Sequence, residues 1–83
     1  MAHERKKHIP ENQQEILLAI GKRILELRRE TGLSIERFCV KHDLPRITYS
    51  NIESGKNFHM TTLLAIIEAH PDVKSLADFF KDI

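Results

Sequence analysis

Eighty-three residues are enough for one domain with one core and too few for two. With 41% hydrophobic and 30% charged side chains, the composition is that of a folded globular chain and excludes a disordered one. A formal net charge of +1 leaves any nucleic-acid work to local clustering, and the single cysteine, Cys39, excludes an intramolecular disulfide and points to a reducing compartment.

The clustering is modest. Arg5, Lys6 and Lys7 oppose Glu4 near the start, and Arg37, Lys41, Arg46 and Lys56 oppose Glu36, Asp43 and Glu53 in the middle. Acids prevail from Glu68 onward. No apolar run approaches the ~18 residues that span a bilayer, and the polar start MAHERKKHIPENQQ is no signal peptide, so a cytoplasmic protein without membrane contact is expected.

Residues 1–11 read as a flexible basic N-terminal arm, and residues 12–83 as the domain. "NQQE" has the form of a capping box, with Asn12 at the cap and Glu15 reaching back. Leu17, Ile20, Ile24 and Leu27 then recur at helical spacing as far as Glu30, where Gly32 supplies a left-handed stop. Ser34 is a good cap for a second helix running to His42, with Leu33 and Phe38 at the spacing of a hydrophobic staple. Asp43 follows, a residue that tolerates the left-handed conformation.

Leu44 and Pro45 are expected to open a third helix, Pro being preorganised for a first turn. Tyr49 and Ile52 face inward on it, and Gly55 ends it. Lys56 to Met60 reads as a loop, and Thr61 or Thr62 caps a fourth helix whose Leu63, Leu64, Ile66 and Ile67 are mostly core. Pro71 ends that helix. In "SLADFF", Ser75 caps a short fifth helix with Asp78 at its third position. Nothing alternates as a strand does, so the expected fold is all-α, a five-helix bundle.

Helices two and three, joined by about three residues, have the spacing of a helix-turn-helix, which sets the second helix in a major groove. The stretch IGKRILELRRETGLSIERFCVKHDLPRITYSNIESGK resembles the Cro- and repressor-type (XRE-like) helix-turn-helix family. Gly21, Arg23, Ile24, Leu27, Arg28, Gly32, Leu33, Ser34, Phe38, Cys39, Tyr49, Ile52, Glu53, Gly55 and Lys56 take the family's places. The likeness continues through TTLLAII and LADFF.

The resemblance implies a lambda-repressor-like domain and a sequence-specific DNA-binding transcriptional regulator, a repressor, that places helix 45–54 in the major groove of double-stranded DNA. Arg46, Ile47, Ser50 and Asn51 match the exposed face of the recognition helix, where Arg pairs with guanine and Asn with adenine. Thr48 and Ser54 flank that face, suited to phosphate or a thymine methyl. Lys56 and Asn57 match the family's phosphate-binding loop, and Ser34 lies at a helix N-terminus, a natural anion site. The family's palindromic operators imply a homodimer built from the last helices, with nucleoid association when DNA is bound; Leu76, Phe79, Phe80 and Ile83 are its candidate contacts, the alternative being that they simply close the monomer core. Arg28 and Glu53 are assigned to an ion pair joining the first and third helices.

Some residues depart from the family's usual ones. Ile35 stands where Gln is common, Asp43 where the turn has Gly, and Pro45 where the third helix has a Ser or Thr cap; Ile47 offers no hydrogen bond. With the near-neutral charge, Ile35 and Ile47 support a second reading, an antitoxin-like module that binds a protein partner and little or no DNA. Tyr49 and Phe38 are read as core, Arg37 and Lys41 as a solvated helix face, and Cys39 as an inert buried thiol. The histidines are scattered, so no metal site is expected, and no cofactor-binding or catalytic spacing occurs. An enzyme is not expected.

Overall fold

Five helices follow one another in the computed structural model, which describes residues 11–81 and 83: α1 (Glu11–Thr31), α2 (Ile35–His42), α3 (Arg46–Glu53), α4 (Met60–Glu68) and α5 (Leu76–Phe80). The fold is all-α, with no strand among the described residues. Residues 1–10 of the expected N-terminal arm lie outside the described residues, and its last residue, Glu11, opens α1. None of the described helices is long and apolar enough to cross a membrane.

Local chemistry accounts for most boundaries. Gly32 leaves α1 at φ 77°, and Asp43 leaves α2 at φ 55° and ψ 50°, with its N–H returned to the end of the helix. Ser34 Oγ accepts from the Arg37 N–H at 3.2 Å and so caps α2. Ser75 caps α5 in the same way at 3.0 Å. Asp78 reaches one residue further back than a capping box requires, accepting from the Lys74 N–H at 3.0 Å. That bond, then the Lys81 ammonium, holds the Asp78 carboxyl below its usual range.

Three boundaries differ from expectation. Asn12 lies inside α1, so its side chain is not the cap; Glu11 is a good helix former and already belongs to the helix. Pro45 is the cap residue of α3 and not its first helical residue, with ψ 118° and no side-chain bond to the helix. Its ring cannot donate or accept, so the first turn of α3 begins at Arg46 with its amides uncapped. In α4 the cap is His59, and Thr61 and Thr62 fall within the first turn. His59, in extended backbone with ψ 144°, makes no capping bond with its side chain.

The core joins Ile20, Ile24 and Leu27 of α1 to Phe38 and Cys39 of α2, Tyr49 and Ile52 of α3, Leu63, Ile66 and Ile67 of α4, and Val73 and Phe79. Burial raises the Cys39 thiol pKa, in keeping with an inert side chain. Phe79 is fully buried beneath the Arg23 guanidinium, 5.9 Å from the ring centre. It closes the monomer core, so the expectation of a dimer contact there is corrected: an enclosed ring offers no area to a second chain.

His70 is 5% exposed and stacks on Phe38 with ring centres 5.1 Å apart, a burial that the sequence did not announce. Burial first, then the charges of His42 and Arg23, lower its pKa against a weaker opposing pull from Asp72. The unfolded chain, whose histidine titrates near 6.5, therefore binds more protons below that value than the folded chain does. Stability present above about pH 6.5 should be lost as pH falls. Melting temperatures recorded from pH 8 to pH 5 should drop more for the wild type than for His70→Phe, and equal slopes would assign the pH dependence elsewhere.

Candidate nucleic-acid interface

Asp43, Leu44 and Pro45 make the whole turn between α2 and α3, and the Leu44 N–H closes it on the Cys39 carbonyl at 2.9 Å. The two helices share the core through Phe38 and Tyr49, whose rings lie 5.4 Å apart. This is a helix-turn-helix held by aromatic packing. α3 also lies along α1, and there Gly21 permits a close approach: an added Cβ would fall 2.4 Å from the Ile52 carbonyl oxygen and 2.8 Å from that of Glu53.

An ion pair fixes the same junction. Arg28 Nε donates to Glu53 Oε2 at 2.7 Å and Nη2 to Oε1 at 3.2 Å, while Nη1 donates to the Leu33 carbonyl at 2.8 Å. One guanidinium thus ties together α1, the turn before α2 and the end of α3. The two side chains are 13% and 8% exposed, so the pair is nearly dry. The bond to Glu53 raises the Arg28 pKa further, and the guanidinium stays charged. The Tyr49 hydroxyl is buried beside this pair without reaching hydrogen-bond geometry. Its pKa lies far above the usual phenol range, raised first by burial and then by Glu53.

Turning Glu53 inward changes the charge of the outer surface. Arg37, Lys41, Arg46 and Lys56 are exposed, against Glu36 and Asp43 alone among the exposed acids of segment 34–57. The outer surface there is therefore more basic than the sequence count suggests.

With Tyr49 and Ile52 fully buried, helical geometry directs Ile47, Ser50, Asn51 and Ser54 to the opposite side of α3. Ile47 is 73% exposed, and Arg46 is exposed beside it. Ser50 and Asn51 are half-buried, their short side chains lying close to the helix. Ser54 is exposed, but its hydroxyl donates to the Ser50 and Asn51 carbonyls at 3.2 and 3.0 Å, leaving it lone pairs to offer.

Beside α3, an open cleft of about 360 Å³ is lined by Thr48, Asn51, Asn57, Phe58 and His59. It brings together three of the residues singled out from the sequence and adds Phe58 and His59, which lie in a loop with no recurring sequence pattern. Asn57 Oδ1 accepts from the Phe58 N–H at 2.9 Å, so the amide NH₂ is its outward group. Lys56 follows the helix with its own N–H on the Asn51 carbonyl at 2.9 Å. Ser34 lies apart from this group, in a shallow depression on α2 with Glu36, Arg37, Val40 and Lys41. Among the described residues no group of three or more His, Cys, Asp or Glu side chains is placed to hold a metal ion.

Over 70 residues, 83% of this chain and 93% of the relative, the sequence is 37% identical to control protein C.MunI of a Mycoplasma species. The chain belongs to this family of helix-turn-helix control proteins. The matched span includes the helix-turn-helix itself, since with 83% of the chain covered only about 14 of its 83 residues fall outside, too few at either end to reach residues 35–53. No family model matches the chain, and no solved structure does.

Proposed function

We propose that the chain is a sequence-specific DNA-binding transcriptional regulator that presents the outer face of α3 to a major groove and acts as a repressor by occupying its site. The observation that carries this reading is the α3 surface opposite Tyr49 and Ile52. Short side chains there let the helix approach base edges, and its one acid, Glu53, is turned away into the pair with Arg28. Control protein C.MunI, by its name, has a controlling role, which agrees with the reading.

In this reading Arg46 and Asn51 pair with bases, Ser50 and Thr48 contribute shorter contacts, and Lys56, Asn57 and Ser34 meet phosphates. Ser54 accepts a hydrogen bond more readily than it gives one. The bound form is a homodimer in which exposed Leu76 and Ile83 and half-buried Phe80 face the second copy. The mass of the complex on a duplex tests that point, and one chain per site would end it.

Arg46→Ala and Asn51→Ala should each lose about 1–3 kcal/mol on the preferred site and relax its sequence preference. Lys56→Ala should weaken binding to all sequences alike and make the salt slope shallower by about one unit. Equal losses of Arg46→Ala on specific and random duplexes would remove its base-reading role. A second reading, the partner-binding module, is favoured by the outward aliphatic side chains Val40, 78% exposed, and Ile47. Absence of salt-sensitive binding to any duplex would favour it.

A further inference from the structure

We propose that Ile47 reads the C5-methyl group of a pyrimidine in the major groove, so that the preferred site carries a methylated pyrimidine, thymine or 5-methylcytosine, opposite this residue. The proposal rests on the DNA-binding reading of α3 and adds to it the chemistry of one position in the site.

A single exposed isoleucine on a protein surface asks for no account. Ile47 differs by its place. Successive residues of an α-helix are rotated by about 100°, so the midline of the buried side of α3, set by Tyr49 and Ile52, points almost directly away from Ile47. The side chain stands at the centre of the outer face, 73% exposed, while Ser50 and Asn51 behind it lie half-buried. It is the branched aliphatic group that such a face meets first on entering a groove.

Its chemistry then narrows what it can meet. Ile47 has no donor or acceptor, so against the N7, O6 or N4 edges of guanine and cytosine it would strip water from polar atoms and return no hydrogen bond. The major groove offers one apolar group at a base edge, the methyl on C5 of thymine. The same methyl on cytosine occupies the same place on the ring. Fold stability supplies no competing reason for an aliphatic side chain here, since Ile47 lies outside the core cluster and the residues packed on it. Arg46 and Asn51 flank the position with hydrogen-bonding groups. The neighbouring base pairs are then read by polar contacts and this one by apolar contact.

The experiment uses the full chain. Duplexes bound by the wild type are selected from a random pool, and each thymine of the enriched site is replaced in turn by deoxyuracil, which removes the methyl alone. In a second set, each cytosine is replaced by 5-methylcytosine. Burial of one methyl predicts a change of about three- to fivefold in Kd at one position per half-site, with Ile47→Ala insensitive to that same change. A loss with deoxyuracil identifies thymine as the natural group. A gain with 5-methylcytosine and no loss with deoxyuracil identifies methylated cytosine. Either result supports the proposal if Ile47→Ala abolishes it. Methyl sensitivity that persists unchanged in Ile47→Ala, or an enriched site indifferent to both substitutions, overturns it while leaving the DNA-binding reading intact. Failure to enrich any duplex overturns both.

Discussion

Glu53→Ala is expected to lower the melting temperature by more than about 10 °C, although the residue lies in the helix assigned to DNA. Removing one partner of a buried, hydrogen-bonded charge pair costs about 3–5 kcal/mol, and with side chains 13% and 8% exposed this pair lies near that range. In a domain of this size each kcal/mol is worth roughly 4–8 °C. The loss leaves the Arg28 guanidinium desolvated with only the Leu33 carbonyl on Nη1. Arg28→Ala should cost a similar amount, since it strands the Glu53 carboxylate and frees the junction of α1 with α2. The double variant should cost clearly less than the two single losses together, because the second truncation removes the orphaned charge. Thermal unfolding of the three variants without DNA decides the matter. Additive losses, or an unchanged Glu53→Ala, would make Glu53 a surface residue open to a role in recognition.

Gly21→Ala should also destabilise, against the sign that helix propensity gives. In a helix interior the substitution ordinarily gains about 1 kcal/mol. Here the new Cβ would fall 2.4 Å from the Ile52 oxygen and 2.8 Å from the Glu53 oxygen, closer than such atoms approach. These are backbone atoms and cannot rotate away. The Ile52 carbonyl also receives the Gly55 N–H at 3.0 Å, so displacing it loosens the end of α3. Overpacking of this kind costs about 1–3 kcal/mol, and rigid neighbours place the expectation at the upper end. DNA affinity should fall as well at temperatures where the variant is folded, because α3 must tilt away from α1. A Gly21→Ala protein that melts above the wild type would show that the two helices are not in this contact.

Single side chains made some local outcomes readable in the sequence, while the starts of α1, α3 and α4 differ from what Asn12, Pro45 and Thr61 or Thr62 led one to expect. Ser34 and Ser75 cap as their residue types require, and Asp43 takes the left-handed turn that its short polar side chain tolerates. The ion pair of Arg28 with Glu53 was legible only through family likeness, since 25 residues separate the partners and no local pattern joins them. Tertiary packing hid several burials and one juxtaposition. His70, next to a proline at a helix end, carries no local signal of burial, yet stacking on Phe38 buries it. Phe79 reads equally well as interface or core, and its complete burial in the core cluster decides for the core. His59 and Phe58 enter the candidate site because the loop folds back beside Thr48 and Asn51, a juxtaposition of residues with no motif of their own.

Regulation by this protein, as proposed, depends on base reading by the outer face of α3. Its most direct test is the affinity of the full chain for a duplex enriched from a random pool, against a scrambled duplex of equal composition, titrated over a range of salt. The enriched site should bind at least about a thousandfold more tightly, both affinities should fall as salt rises, and Arg46→Ala should narrow the gap between them. Equal affinity for the two duplexes at every salt concentration would contradict base reading.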